Sequence, residues 1–322
     1  MSRIVRSPGL PFPITLALAL LAASCSSAPK PPDAIYDAHN KAVELGKLGD
    51  GFMAKALYEQ AIRYYQDALA SSSSVDDLEG VAADRVALGR AYLAAGETAA
   101  AEAEYQAAGE YARMSGSSDA RSSAKAGLGE IAFARGDKAG ALSIFEEAVS
   151  LASVGAKQGK ALAIALHDRG VAKSALGRVD DALSDFAKAE ALNLKAKRWT
   201  ELGANRYAIA SALSASGRTA DALAAALGAL DADKRAENAR AIPLDLAAAA
   251  SLSAKLERDG EAWDYWCRSL DSALSGGGAA SAKKALAALV ELAPRLRKEA
   301  EGKRYAETLG KLESAEAPQA NP

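Results

Sequence analysis

Two cysteines, Cys25 and Cys267, and two histidines, His39 and His167, have the widest chemical repertoire in this 322-residue chain. None of the four falls in a spacing that ligates zinc, and two thiols so far apart build no disulfide framework. Cys267 stands among Trp263, Tyr265 and Trp266 with no histidine near it in sequence. That points to a structural thiol, because a nucleophilic one needs an activating neighbour. The chain carries no phosphate-cradling glycine loop and no Gly-x-Ser-x-Gly elbow. Its acidic residues are scattered, so no carboxylate pair stands out for acid–base work. No enzyme activity and no cofactor are therefore expected. Cys25 differs because of what precedes it.

Residues 1–24 carry Arg3 and Arg6, then an apolar run from Ile14 to Ala23, then Ser24 before Cys25. A run this short cannot span a bilayer, which takes about 20 residues, and it has the layout of an export signal. The sequence Leu21-Ala22-Ala23-Ser24-Cys25 resembles a bacterial lipobox, although Ala22 stands where leucine is preferred and Leu21 lies one place earlier. The resemblance implies a lipoprotein signal peptide over 1–24 and lipidation, for instance by palmitate, at Cys25. It also implies membrane anchoring, since each buried methylene adds about 0.8 kcal/mol and several chains on one cysteine hold firmly. Ser26, rather than aspartate, follows the cysteine, which by the same resemblance implies the outer membrane of the cell envelope, facing the periplasm. The alternative is an ordinary secretory signal and a soluble exported protein. Residues 25–34, with Pro29, Pro31 and Pro32, read as a short, stiff tether.

The composition, 50% apolar, 25% charged and only 6% aromatic, is that of a globular chain rich in alanine. Alanine costs least in a helix, so the expected class is all-α. The net charge is −2, and more negative still without Arg3 and Arg6, which excludes a basic footprint for nucleic acid.

A pattern of large and small residues recurs along most of the chain. Its clearest copy is Leu88-Gly89, Tyr92, Gly96, Ala101, Tyr105 and Ala108. Forty residues earlier stand Leu48-Gly49, Phe52, Ala61, Tyr65 and Ala68. Forty later come Leu128-Gly129, Gly136, Ala141, Phe145 and Ala148. Gly170, Gly177, Ala182, Phe186 and Ala189 make a fourth copy 41 residues on. A fifth keeps Ala210, Leu213, Gly217, Ala222, Ala226 and Ala229 but loses its aromatic residue. The sixth reads as degenerate, with Leu252, Gly260, Tyr265, Ser269 and Ser272 displaced by about three residues. Gly96, Gly136, Gly177 and Gly217 fit a left-handed helix terminus, and small–aromatic–small at helical spacing puts one packing face on the next helix. Each hairpin alone leaves an apolar face open, so the hairpins must stack.

These residues resemble the tetratricopeptide repeat (TPR), over about residues 35–275, with a period of 40 or 41 instead of the usual 34. The resemblance implies an all-α, right-handed superhelical solenoid of five to six helix-turn-helix repeats. The surplus residues are expected before each first helix, in 71–80, 115–123 and 156–160. First helices would then be nearly twenty residues long and second helices about fourteen. Residues 276–312 are expected to cap the solenoid with two helices either side of Pro294, and 313–322 to form a disordered tail.

The resemblance further implies binding on the concave face lined by first helices. Helical spacing places Val86, Arg90 and Leu93 there in the second copy, and Ala126, Glu130 and Phe133 in the third. The fourth supplies Ile164, His167, Val171 and Ser174, and the fifth Tyr207, Ser211 and Ser214. Arg90, Leu93, Glu130, Phe133, His167 and Tyr207 are the candidate partner contacts. Only Arg90 is cationic, so no basic cradle for a partner's C-terminal carboxylate is visible. The expected function is a lipid-anchored scaffold that binds a protein or peptide, in cell-envelope assembly. The alternative is a small-molecule-binding lipoprotein working with a transporter.

Overall fold

A short left-handed turn recurs at most of the joints between helices, and its spacing sets the length of the helices. A computed structural model describes residues 33–155, 159–276 and 278–316 of the chain. Within these, left-handed backbone recurs at Ala56, Asp76, Gly96, Gly116 and Gly136, twenty residues apart. It resumes at Gly177, Lys197, Gly217, Glu237 and Glu257, and again at Arg297. Between the turns run α1 (Asp33–Ala54), α2 (Tyr58–Ser74), α3 (Leu78–Ala94), α4 (Thr98–Ser115), α5 (Ser118–Ala134), α6 (Lys138–Val154) and α7 (Lys160–Ala175). They continue as α8 (Val179–Lys195), α9 (Trp199–Ala215), α10 (Thr219–Arg235), α11 (Ile242–Lys255), α12 (Asp259–Ser275), α13 (Ala279–Leu292) and α14 (Glu299–Glu316).

Most of the helices are 17 residues long, first and second alike. The long period is therefore two equal half-repeats of twenty, and the expected long-first, short-second division is wrong. Residues 71–74 and 118–123 are helical rather than loop. The serines and aspartates there do act as caps where a turn needs one: Asp77 accepts from the Gly80 amide at 2.9 Å, and Ser117 from the Ala120 amide at 3.3 Å.

The sixth copy is also in frame. Glu257 takes the left-handed turn position (φ 61°), and Ala262, Trp266 and Ser269 take the small, aromatic and small places, all buried. Gly260, which looked like the turn, lies in the first turn of α12 and exposed. A non-glycine residue in the left-handed turn hid the register. At the C-terminus α13 and α14 form a seventh hairpin, joined by a short 3₁₀ turn at Pro294–Leu296. Leu286 and Leu289 pack on Trp263, Trp266 and Leu270, and Leu309 and Leu312 close the end. The helix α14 runs to Glu316, so the expected tail from 313 is helical for its first residues; 317–322 lie outside the described residues. The expected tether is likewise helical from Asp33, while the signal segment and Cys25 lie outside the described residues.

The glycine of each Leu-Gly pair has a steric reason. A Cβ at Gly49, Gly89, Gly129 or Gly170 would stand 2.5–2.7 Å from the ring of Tyr65, Tyr105, Phe145 or Phe186 on the paired helix. The bare backbone lets the ring lie flat on the first helix. In the fifth hairpin Ala210 faces Ala226 instead, both buried, so the methyl returns when the ring goes.

Between successive hairpins the same two repeat positions, one on a second helix and one on the next first helix, recur. This pair is Ser72 and Asp84, then Ala112 and Ala124, Ala152 and Ala165, Asn193 and Asn205, Asp233 and Asp245, and Ala273 and Ala285. Ser72 Oγ donates to Asp84 Oδ2 at 2.7 Å. Polar side chains meet at two of these junctions, Ser72 with Asp84 and Asp233 with Asp245.

First helices touch one another from α1 to α9, whereas no second helix reaches the next at comparable closeness among the described residues. The first helices therefore line the inner, concave face of the solenoid. The turn of the superhelix brings its start near its fifth hairpin, where Arg240 Nη1 donates to the Met53 carbonyl at 3.4 Å.

Candidate binding groove

Two pockets occupy the concave face, one over the second to fourth hairpins and one over the fourth to sixth. The first encloses about 310 Å³ between α3, α5 and α7, and Val86, Arg90, Ala126, Glu130 and Ile164 all line it. The second encloses about 670 Å³ between α7, α9 and α11 and is lined by His167, Val171, Ser174, Tyr207 and Ser211. Ser214 lines its continuation toward Lys255, whose ammonium donates to the Ser214 hydroxyl at 3.2 Å. Helical spacing alone thus collects most of the candidate residues into two places.

Leu93 and Phe133 line neither pocket. Leu93 packs with Ala101, Tyr105 and Ile131, and Phe133 with Ala141, Leu142 and Phe145. Both sit at the end of a first helix, where the face has rotated from the groove into the joint between hairpins.

In the larger pocket Tyr207 is 42% exposed and stands above a polar base. His167 Nδ1 meets Asn205 Oδ1 at 3.1 Å, and Asn205 Nδ2 donates to the Phe186 carbonyl at 2.8 Å. The His167 ring also tilts against Phe186, with centroids 5.7 Å apart. Burial holds the imidazole pKa below its ordinary value, so it is neutral. At the far wall stand Asp233 and Asp245. Burial raises both, Asp245 to about 8, and its proton is donated to Asp233. Asn238 Nδ2 donates to Asp233 Oδ1 at 2.7 Å, and the bare backbone of Gly203 lies against the same carboxylate. Asp245 Oδ2 is buried without a partner.

A second acidic pair joins Glu130, which lines the smaller pocket, to Asp168, which lies outside its lining. Burial raises the Glu130 carboxyl, with Arg90 opposing, and raises Asp168 well above the usual carboxylate range, with the Glu130 charge adding to it. Two carboxyl pairs therefore exist where the scattered acids of the sequence indicated none. Aligning the copies would have exposed Asp233 and Asp245, which occupy columns held by alanine in three other junctions. No comparable signal marks Asp168. A third acid, Asp185, is fully paired: Arg169 Nη2 and Lys173 Nζ each reach it at 2.7 Å, and the two cations hold its pKa below the ordinary value against burial. Cys267 is half-buried with its Sγ 3.7 Å from the Tyr305 hydroxyl, and burial pushes its pKa up, away from thiolate reactivity. Among the described residues no cluster fit to hold a metal ion occurs, and no helix is long and apolar enough to cross a membrane.

No family model and no curated protein matches the chain. Solved structures do. It is similar to the apo form of RapI, with a TM-score of 0.65 and 12% identity over 86% of this chain and 78% of that one. BtubC from P. vanneervenii superposes with a TM-score of 0.60 and 15% identity over 69% of this chain and 93% of that one. The apo quorum sensor NprR from B. thuringiensis gives 0.59 and 15%, over 93% and 85%. At such identities the likeness concerns the fold, which agrees with the repeat pattern. The chain is a tetratricopeptide-type helical solenoid.

Proposed function

We propose that the protein is a scaffold that holds a protein or peptide partner in its concave groove. The observation that carries the reading is the placement of side chains the repeat does not need for packing. Arg90, Glu130, His167 and Tyr207 come from four successive first helices, and all of them line pockets on the inner face. A site spread over successive hairpins suits an extended segment better than a compact ligand. A similar solenoid supports the reading at the level of fold: a Rap protein, 14% identical with a TM-score of 0.60, has been solved in complex with competence and sporulation factor. The groove assigns no catalytic step, and the protein is read as a binding protein and not an enzyme.

The same proposal includes the lipobox-like segment. Lipidation of Cys25 would tether the solenoid to the bacterial envelope, at the outer membrane facing the periplasm, where it would serve envelope assembly. The larger pocket, about 670 Å³, also falls within the size of small-molecule sites, which is the second reading, a ligand-binding lipoprotein working with a transporter.

Labelling with radioactive palmitate is expected to mark the wild type and not Cys25→Ala; equal labelling would remove the anchor. A photoreactive residue in place of Tyr207 is expected to crosslink a polypeptide that the same residue on the outer face of α10 does not capture. Capture from the outer face alone would refute the groove, and retention of a small molecule at Tyr207 without a polypeptide would select the second reading.

A further inference from the structure

The fold has no need of acids where Asp233 and Asp245 stand. Three other junctions fill the same two positions with alanine, and the junction before uses Asn193 and Asn205. Those amides are hydrogen-bonded: Asn205 Nδ2 donates to the Phe186 carbonyl at 2.8 Å, and Asn193 Oδ1 accepts from Arg198 Nε at 3.0 Å. Asp233 and Asp245 are as deeply buried, 2% and 1% exposed, and both line the larger pocket. Asp245 Oδ2, however, has no hydrogen-bond partner. A buried acceptor left unsatisfied costs about 1–3 kcal/mol, so this junction keeps acids at the pocket wall against the interest of stacking.

The rest of the pocket defines what would satisfy that oxygen. Two carboxyls sharing one proton carry one negative charge. No lysine or arginine stands among the described residues that line the pocket, and its one histidine is His167, held neutral by burial. No cation is among the influences on either acid. The walls are largely apolar, with Val171, Phe186, Ala204, Ala208 and Leu244, and Tyr207 and Leu244 present exposed surface to it. About 670 Å³ of mostly apolar space with a few convergent polar groups is the ordinary form of a small-ligand site.

We propose that the larger pocket binds a small organic amine, with its ammonium against the Asp233–Asp245 pair and its apolar body along Phe186, Tyr207 and Leu244. The inference rests on the second reading above, in which this pocket takes a small molecule. An ammonium only donates and carries its own proton. It therefore supplies Asp245 Oδ2 with the missing hydrogen bond and balances the single charge of the pair. A carboxylate ligand would meet like charge there, and an alcohol would leave the charge of the pair unbalanced.

The test uses the full chain at pH 7 and isothermal titration calorimetry with 4-phenylbutylamine, 4-phenylbutanol and 4-phenylbutyrate, which share one apolar body and differ in charge. The amine is expected to bind about tenfold tighter than the alcohol, and the acid more weakly than either. The double variant Asp233→Asn/Asp245→Asn installs the pair that the preceding junction already holds, so the fold accommodates it. It is expected to bring amine binding down to that of the alcohol. Ala204→Phe fills the pocket from an exposed helical position, which leaves the fold standing, and is expected to weaken the amine about tenfold. Unchanged amine binding in Ala204→Phe would place the amine elsewhere and overturn the site. Equal binding of amine and alcohol to the wild type, or a preference that survives in the double variant, would overturn the ammonium seat and leave the small-molecule reading standing. Failure of all three probes to bind, whether or not a lysine-centred heptapeptide pool binds in their place, would overturn both.

Discussion

The Asp233–Asp245 pair makes the fifth-to-sixth junction weaken as pH rises, opposite to the usual behaviour of a carboxylate. Asp245 is 1% exposed and its pKa is raised to about 8 from 3.8, first by burial, then by the charge of Asp233 and the hydrogen bond to it. In the unfolded chain the same carboxyl ionises near 4. Below that pH both states are protonated and the fold keeps its full stability. Between about 4 and 8 the unfolded chain releases its proton while the fold retains it, so stability falls steadily. A shift of this size corresponds to roughly 4–6 kcal/mol. The influences on Asp245 are burial and Asp233, with no cation among them. A solenoid has mostly nearest-neighbour contacts, so the loss falls on the contact between α10 and α11 and not on the whole molecule. Hydrogen exchange followed by mass spectrometry should show protection in α10 and α11 about a thousandfold lower at pH 8.5 than at pH 5, after correction for intrinsic exchange. Protection in α3 to α6 should change far less. Asp245→Asn should remove the local slope, since an amide donates to Asp233 without titrating, and Asn205 already occupies the matching place one junction earlier. An unchanged slope in Asp245→Asn, or greater protection at pH 8.5 in the wild type, would refute the shared proton.

Three other perturbations test the packing. Gly89→Ala places a methyl 2.7 Å from the Tyr105 ring and should cost about 1–3 kcal/mol in urea denaturation, whereas a loss below the error of the fit would mean the ring is not held as described. Lys197→Gly relieves left-handed backbone at φ 54° and should raise stability by about 1 kcal/mol; a fall would show that the lysine side chain matters more than its backbone. Asp185→Asn breaks its buried pairing with Arg169 and Lys173 and should destabilise by about 3 kcal/mol at pH 7. The Asp185 pKa lies below its ordinary value, so this stability is present above about 4 and is lost as pH falls through the folded-state pKa. The difference between wild type and variant should therefore close in acid, and a difference constant down to pH 2 would contradict the pairing.

The fold was legible because its signal is steric and repeats. A ring such as Tyr105 needs Gly89 opposite and Ala101 and Ala108 beside it, so the sequence must restate that set in every hairpin. The sixth hairpin escaped because glycine is only the easiest residue in a left-handed turn, and Glu257 adopts the same backbone at a cost the packing of Trp266 offsets. Helix lengths escaped for a related reason: serines at 71–74 and 118 look like loop but continue helices whose inner faces are buried. The groove was legible only as a stripe. Spacing placed Arg90, Glu130, His167 and Tyr207 on it, but it could not separate them from Leu93 and Phe133, because which end of a helix faces inward depends on how the hairpins are stacked. The acidic pairs lay further out of reach. Glu130 and Asp168 are 38 residues apart and Asp233 and Asp245 only 12, yet each pair meets across a hairpin boundary that no local pattern announces. Asp233 and Asp245 do depart from the repeat, as aspartates in columns that three other junctions fill with alanine. In a solenoid the repeated residues describe stacking, and the places where one copy breaks the pattern at an energetic cost are where a partner is to be sought.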